Sequence, residues 1–106
     1  MANQKYDKLI WNLIPTMASF NCFDSDYAAI EALKSVYFML TIMDGDDCLS
    51  IDDFIGIFCS SFNSRYNIPQ EKALKAETLL AALPEVTNIN ITLGGDLIES
   101  ALEDMD

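Results

Sequence analysis

Apolar side chains recur every three to four residues along most of this chain, a spacing that places them on one face of an α-helix. Five segments show the period, at approximately residues 4–20, 26–43, 50–61, 69–83 and 93–105. The second segment has the widest apolar stripe, which is typical of a helix at the centre of a core. Because 106 residues suit one modest core, the pattern predicts an all-α single domain over residues 1–106, with four or five helices.

Polar and proline residues mark where these helices begin and end. Asp24 can cap the second helix, and Ser50 with Asp53 fits a capping box at the start of the third. Pro15 lies inside the first segment and predicts a kink or break near Ile14. The sequence therefore predicts helices joined by short connections, without a linker between separate domains.

The chain is strongly acidic, and its negative charge lies in two blocks. It has 17 acidic against 6 basic residues, a net charge of −11. Residues 24–53 hold eight acids and one lysine, and residues 76–106 hold seven acids and no base. Such a charge repels nucleic-acid phosphate and anionic membrane surfaces, which excludes direct binding to either. A basic protein is the partner that this charge favours.

The residue types that commonly carry catalysis are either missing or show no catalytic arrangement. The chain has no histidine, and therefore lacks the commonest general base and the commonest metal ligand. Cys22, Cys48 and Cys59 show no metal-ligand spacing, and we expect Cys22 and Cys59 to lie in the core. Adjacent acids such as Asp52 and Asp53 are typical of helix caps. We therefore expect no enzymatic activity, no cofactor and no bound metal.

The same residues indicate a compartment. The first residues are polar and lack the apolar centre of a secretory signal. No apolar run approaches the roughly 20 residues of a membrane-spanning helix. Three thiols without disulfide spacing are typical of a reducing environment. The sequence predicts a cytoplasmic protein.

The first acidic block contains the densest group of carboxylates, and we take it as the candidate partner-binding site. Two tyrosines are candidate aromatic anchors beside it, because aromatic side chains contribute strongly to protein interfaces. The predicted partner-binding residues are Asp44, Asp46, Asp47, Asp52, Asp53, Tyr37 and Tyr66.

In size and charge the chain is similar to small acidic immunity proteins and to nucleic-acid mimics. This similarity implies an inhibitor, most specifically an immunity or antidote protein that occupies the cationic cleft of a basic nuclease toxin or another nucleic-acid enzyme. Such a protein is expected as a monomer or dimer. An alternative is a structural subunit of a larger assembly, because the apolar content of 51% leaves room for an exposed apolar strip.

Residues 26–62 resemble a degenerate EF-hand, a calcium-binding helix–loop–helix. Asp44, Asp46 and Asp53 match the third, fifth and twelfth ligand positions, whereas Ile42 stands at the first and Asp47 at the glycine position. The resemblance implies an adaptor that grips a target helix without metal or with weak metal binding, any ion being held by those three aspartates. It also implies a very short β pairing between Leu49 and Ile89 or Ile91.

Overall fold

The structure, a computed structural model, describes residues 3–105, with their side chains from Tyr6 onward. It is all-α, as the sequence predicts, and its principal extents of 35 × 32 × 26 Å are those of one compact body. The five helices are α1 (Asn3–Ser19), α2 (Asp26–Asp44), α3 (Ile51–Arg65), α4 (Ala76–Ala82) and α5 (Ile91–Glu103). Three short 3₁₀ turns lie at Gly45–Asp47, Gln70–Lys72 and Leu83–Glu85. No helix among the described residues is long and apolar enough to cross a membrane.

Helix α5 lies between α2 and α1 and packs against both. On its other side α1 packs against α3, and α3 packs against α4. The last helix in sequence is therefore near the centre of the fold. The largest fully buried side chains are Ile10, Leu13, Ile14, Met17, Leu33, Val36, Leu40, Phe54, Ile55, Phe58, Val86 and Leu97. Cys22 and Cys59 are buried with them, as predicted.

One predicted cap and one predicted helix boundary were wrong, and in both places a polar side chain fixes the backbone. Ser25, not Asp24, caps α2, and its hydroxyl accepts the Ala28 N–H at 3.1 Å. Helix α4 is much shorter than residues 69–83, because the amide of Asn63 bonds both the N–H and the carbonyl of Leu74, at 2.8 and 2.9 Å. That pairing holds the chain before α4 in a non-helical conformation. The cap at Ser50 is confirmed, at 3.2 Å from the Asp53 N–H.

The predicted β pairing near Leu49 was wrong, and residues 3–105 contain no strand. Ile91 is instead the first residue of α5. The Asn90 side chain caps this helix by accepting the Leu93 N–H at 2.9 Å, and the Asn90 N–H is itself bound by the Ser35 hydroxyl at 3.0 Å. These capping bonds start a helix within residues 89–92, where the alternation of apolar and polar side chains alone favours a strand.

Pro15 lies within a continuous α1, where a kink or break was expected. Proline has no N–H to donate to the carbonyl four residues earlier, which here belongs to Trp11. The guanidinium of Arg65, at the end of α3, donates to that carbonyl at 3.2 Å and lies 4.9 Å from the centroid of the Trp11 ring. A long-range hydrogen bond thus replaces the local one that the proline removes.

A double-mutant cycle tests this replacement. We expect Arg65→Met to lower the free energy of unfolding by about 1–2 kcal/mol, because the Trp11 carbonyl and ring lose their partner. With Pro15→Ala, the new N–H serves the carbonyl, and the same Arg65→Met change should cost about 1 kcal/mol less. Urea denaturation of the four proteins measures both values. Equal costs in the two backgrounds would contradict the assignment, and Lys72→Met controls for loss of an exposed base.

Gly94 sets how closely α5 approaches α2. A Cβ atom placed on Gly94 would lie 2.5 Å from the Ser35 backbone oxygen and 3.1 Å from a Met39 side-chain carbon. Backbone cannot move aside as the end of a flexible side chain does. Only glycine therefore permits this helix crossing. The adjacent Gly95 has no such neighbour within 4 Å.

The two glycines form a matched pair for mutation. Gly94→Ala should lower the free energy of unfolding by about 1–3 kcal/mol, because the new methyl group forces α5 away from α2. Gly95→Ala should raise it by about 0.5–1 kcal/mol, because alanine loses less backbone entropy in a helix than glycine. Denaturant midpoints at constant slope measure both effects. A stabilising Gly94→Ala would show that the crossing is not tight.

Candidate protein-binding surface

The acidic loop, defined here as residues 44–53, joins the end of α2 to the first turn of α3 and carries all five predicted aspartates. Gly45 has φ = +56°, a left-handed conformation that lets the chain turn sharply out of α2. The 3₁₀ turn with Asp46 and Asp47 follows, and Asp52 and Asp53 then lie in the first turn of α3. A negative charge is favoured there, next to the positive end of the helix dipole.

Tyr37 connects the acidic loop to the helices on either side of it. Its hydroxyl donates to the Leu49 carbonyl at 3.0 Å, and its ring lies 5.5 Å from that of Phe54. The side chain is half-buried and joins α2, the loop and α3. Tyr37 thus supports the loop, and its ring and hydroxyl both have partners within the fold. Its predicted role as an anchor for a partner stays a prediction.

Asp44 differs from the other four aspartates because it is half-buried and bonded within the fold. The hydroxyl of Tyr6, a residue that is only 3% exposed, donates to its carboxylate. Burial of the phenol raises the pKa of Tyr6, and the hydrogen bond to Asp44 and the charge of that carboxylate raise it further. Asp44 therefore anchors α1 to the end of α2, and a partner would have to compete with Tyr6 for it.

The other four carboxylates, on Asp46, Asp47, Asp52 and Asp53, are exposed. None of them makes an ion pair with a basic residue in the described part of the chain. Lys34, the one base of this block, is turned inward: its ammonium donates to the carbonyls of Val86 and Leu83, at 2.6 and 3.4 Å. Among the described residues, these four carboxylates of the acidic loop therefore have no basic partner within the fold.

Two large apolar side chains are exposed directly before the acidic loop. Ile42 is 60% and Met43 is 54% exposed, in the last turn of α2. Apolar area next to charged residues is typical of interfaces, in which an apolar centre is surrounded by a polar rim. The surface that we take as the candidate site thus combines Ile42 and Met43 with the four exposed aspartates.

Tyr66, the second predicted anchor, is not part of this surface. It follows the last residue of α3, whereas Asp52 and Asp53 are in its first turn. At 1.5 Å per residue, thirteen residues of helix separate Asp53 from Tyr66 by about 20 Å. Tyr66 is 45% exposed and packs against Phe62, with ring centroids 5.0 Å apart. The structure therefore divides the predicted site residues between the two ends of α3.

The EF-hand resemblance implies that any bound ion is held by Asp44, Asp46 and Asp53. Within residues 3–105, no group of three or more His, Cys, Asp or Glu side chains is arranged to hold a metal ion. The Asp44 carboxylate is bonded to Tyr6. The EF-hand resemblance of residues 26–62 remains a prediction.

A second acidic surface lies on α5, within the acidic block of residues 76–106. Asp96, Glu99 and Glu103 are all exposed there. Their spacing of three and then four residues places them on one side of the helix, a signal that the sequence itself contains. Among the described residues in the last turn of α5, Leu102 is the one large apolar side chain that is exposed beside these three acids, at 41% exposure. This second acidic surface therefore lacks an exposed apolar pair like Ile42 and Met43.

Comparisons of the chain with protein-family models, with curated proteins and with solved structures found no significant match.

The alkaline stability of the protein should depend on Tyr6. Because the pKa of Tyr6 is raised by folding, the folded protein keeps this proton above pH 10.0, where an unfolded tyrosine loses it. The stabilisation is thus complete below that pH and is lost as the pH rises, at up to about 1.4 kcal/mol per pH unit. Tyr6→Phe should flatten this decline.

Urea denaturation between about pH 8 and pH 11 measures the effect. Tyr6→Phe should also lower the free energy of unfolding near neutral pH by about 1–2 kcal/mol, because the half-buried Asp44 loses a donor. Tyr27→Phe is the control, since Tyr27 is 54% exposed. Parallel pH curves for the parent protein and Tyr6→Phe would contradict the assignment.

Proposed function

We propose that this chain is a cytoplasmic, non-catalytic inhibitor that binds a basic protein through the acidic loop. The specific role that we propose is that of an immunity or antidote protein, which neutralises a nuclease toxin or another nucleic-acid enzyme by occupying its cationic cleft. The observation that carries this proposal is the group of four exposed aspartates, which have no basic partner among the described side chains, on a loop that is supported by Tyr37 and Ser50.

The chemistry of the acidic loop suits such a cleft. Arg and Lys side chains that hold phosphates form charge-assisted hydrogen bonds with carboxylates as well. A net charge of −11 also speeds encounter with a cationic partner, by about 10- to 1,000-fold at low salt. The absence of histidine supports a role in binding rather than catalysis.

Ile42 and Met43 add what a purely solvating acidic surface does not need. In the isolated protein these two side chains remain in contact with water. A partner that covers them gains the free energy of burying their apolar area. Charges around a desolvated apolar centre then contribute both orientation and association rate. The proposed interface therefore centres on these two side chains, with the aspartates of the acidic loop around them.

Two triple variants of equal charge test the site. The loop variant carries Asp46→Asn, Asp47→Asn and Asp52→Asn, and the α5 variant carries Asp96→Asn, Glu99→Gln and Glu103→Gln. Each removes three negative charges from exposed side chains, so both lose the same long-range attraction. We expect the loop variant to bind the basic partner at least about 100-fold more weakly, and the α5 variant to lose less than about tenfold.

The partner is to be found by affinity capture with the parent protein and both variants, at salt near 0.05 and 0.15 M. A basic protein retained by the parent protein and the α5 variant, but not by the loop variant, is the expected partner. Its cleavage of plasmid DNA or of RNA should stop when the parent protein is added in equal amount. Equal capture by both variants, or a partner whose activity is unaffected, would refute the inhibitor.

A further inference from the structure

An apolar groove of about 560 Å³ lies between α2, α3 and α4, at the opposite end of α3 from the acidic loop. Its floor includes the buried side chains of Ile30, Leu33 and Phe58. Ligand-binding pockets in proteins typically have volumes of about 300–1,000 Å³, mostly apolar walls and a few polar groups. The proposed inhibitor surface does not use this groove.

One wall of the groove is a ladder of aromatic rings. Phe58 and Phe62 on α3 and Tyr66 directly after it follow one another at intervals of four residues, with centroids 6.1 and 5.0 Å apart. Phe23 packs against Phe62 from the connection before α2, at 5.6 Å. Tyr66 lies at the mouth, with 45% of its surface exposed. Rigid aromatic side chains give large contact area at small entropic cost, as in many protein interfaces.

The dimensions of the groove match two turns of a helix. The ladder from Phe58 to Tyr66 spans eight residue steps along the axis of α3, or about 12 Å. Apolar side chains at positions i, i+4 and i+7 of a helix span about 10.5 Å. Three such side chains from one bound helix would therefore fill the groove along its length.

The charge in the lining of the groove indicates the sign of the occupant. Asp26 is the one charged residue among the described residues that line it, and Ser25 and Thr78 contribute hydroxyl groups. Asp24, in the connection between α1 and α2, is also exposed. Together with the net charge of −11, these acids disfavour an acidic segment and favour one with Lys or Arg beside its apolar face.

We propose that this groove binds an amphipathic basic helix of a protein partner, with large apolar side chains at i, i+4 and i+7 and a Lys or Arg that pairs with Asp26. The inference rests on the proposed function only in that the partner is basic. The groove and the acidic loop are separate surfaces, so each can be disabled alone.

The probe is a synthetic helical peptide of about 18 residues, composed of Leu and Lys with Leu at the helical period. A peptide of the same composition with strictly alternating Leu and Lys is its control. Calorimetric titration at about 0.15 M salt limits the contribution of long-range charge. We expect the helical peptide to bind one site, and the alternating peptide to bind at least about tenfold more weakly.

Ala29→Trp places an indole in the groove, which Ala29 lines from α2. We expect it to weaken binding of the helical peptide by at least about tenfold. Ala81→Trp is the matched control, since Ala81 is exposed on α4 and does not line the groove. Should Ala29→Trp fail to fold, Tyr66→Ser tests the aromatic wall at its exposed end, with the same expected loss. Asp26→Asn should weaken binding severalfold.

Unchanged affinity in Ala29→Trp and Tyr66→Ser would overturn the groove as the binding site. Binding of the neutral dye Nile red that the helical peptide does not displace would show a small apolar molecule to be the occupant, and would overturn the helix. Loss of the peptide in the loop variant, with full binding by Ala29→Trp, would also refute the groove while leaving the proposed function intact. Loss in Ala29→Trp, with full binding by the loop variant, would support the groove even if no inhibited enzyme is found.

Discussion

The close crossing of α2 and α5 at Gly94 determines the arrangement of the other helices. Because α5 packs against both α2 and α1, its distance from α2 sets the position of α1 and, through α1, of α3. Ser35 contributes twice at the crossing: its carbonyl oxygen stands where a Cβ atom on Gly94 would clash, and its hydroxyl binds the Asn90 N–H that precedes α5. One buried serine therefore fixes both the start of α5 and its depth.

Two basic side chains, Arg65 and Lys34, support this fold by satisfying backbone carbonyls. Arg65 bonds the Trp11 carbonyl that Pro15 leaves without a donor, and Lys34 bonds the carbonyls of Leu83 and Val86 before α5. A partly buried carbonyl without a donor is costly, so the Lys34 bonds stabilise the chain where it leaves the 3₁₀ turn before α5. The Arg65 bond is exposed to solvent. Because its ammonium is bound to the carbonyls of Leu83 and Val86, Lys34 is not available to neutralise the carboxylates of the acidic loop.

The sequence predicts those features that depend on neighbours a few residues away. The helical period identified α1, α2, α3 and α5, and the Ser50 cap was correct because its hydrogen bond spans only three residues. The errors arise where a distant group acts. Arg65 rescues a helix containing Pro15, and Asn63 holds Leu74 out of the helix that its own segment favours. No local pattern contains these contacts.

The candidate site shows the same division. That Asp46, Asp47, Asp52 and Asp53 share one surface follows from their proximity in sequence, whereas the bond from Tyr6 that removes Asp44 from this group spans 38 residues. Tyr66 was grouped with the aspartates by composition alone, and the length of α3 separates them.

Helix α3 connects the two proposed surfaces, with Asp52 and Asp53 at its first turn and Phe58, Phe62 and Tyr66 towards its end. An interface of ordinary size covers about 800 Å² on each partner, a patch about 30 Å across. The separation of about 20 Å along α3 lies within such a patch. One basic partner with an exposed amphipathic helix is therefore large enough to engage both ends at once. Two weak contacts joined in this way bind far more tightly than either alone, because the second contact forms within the complex.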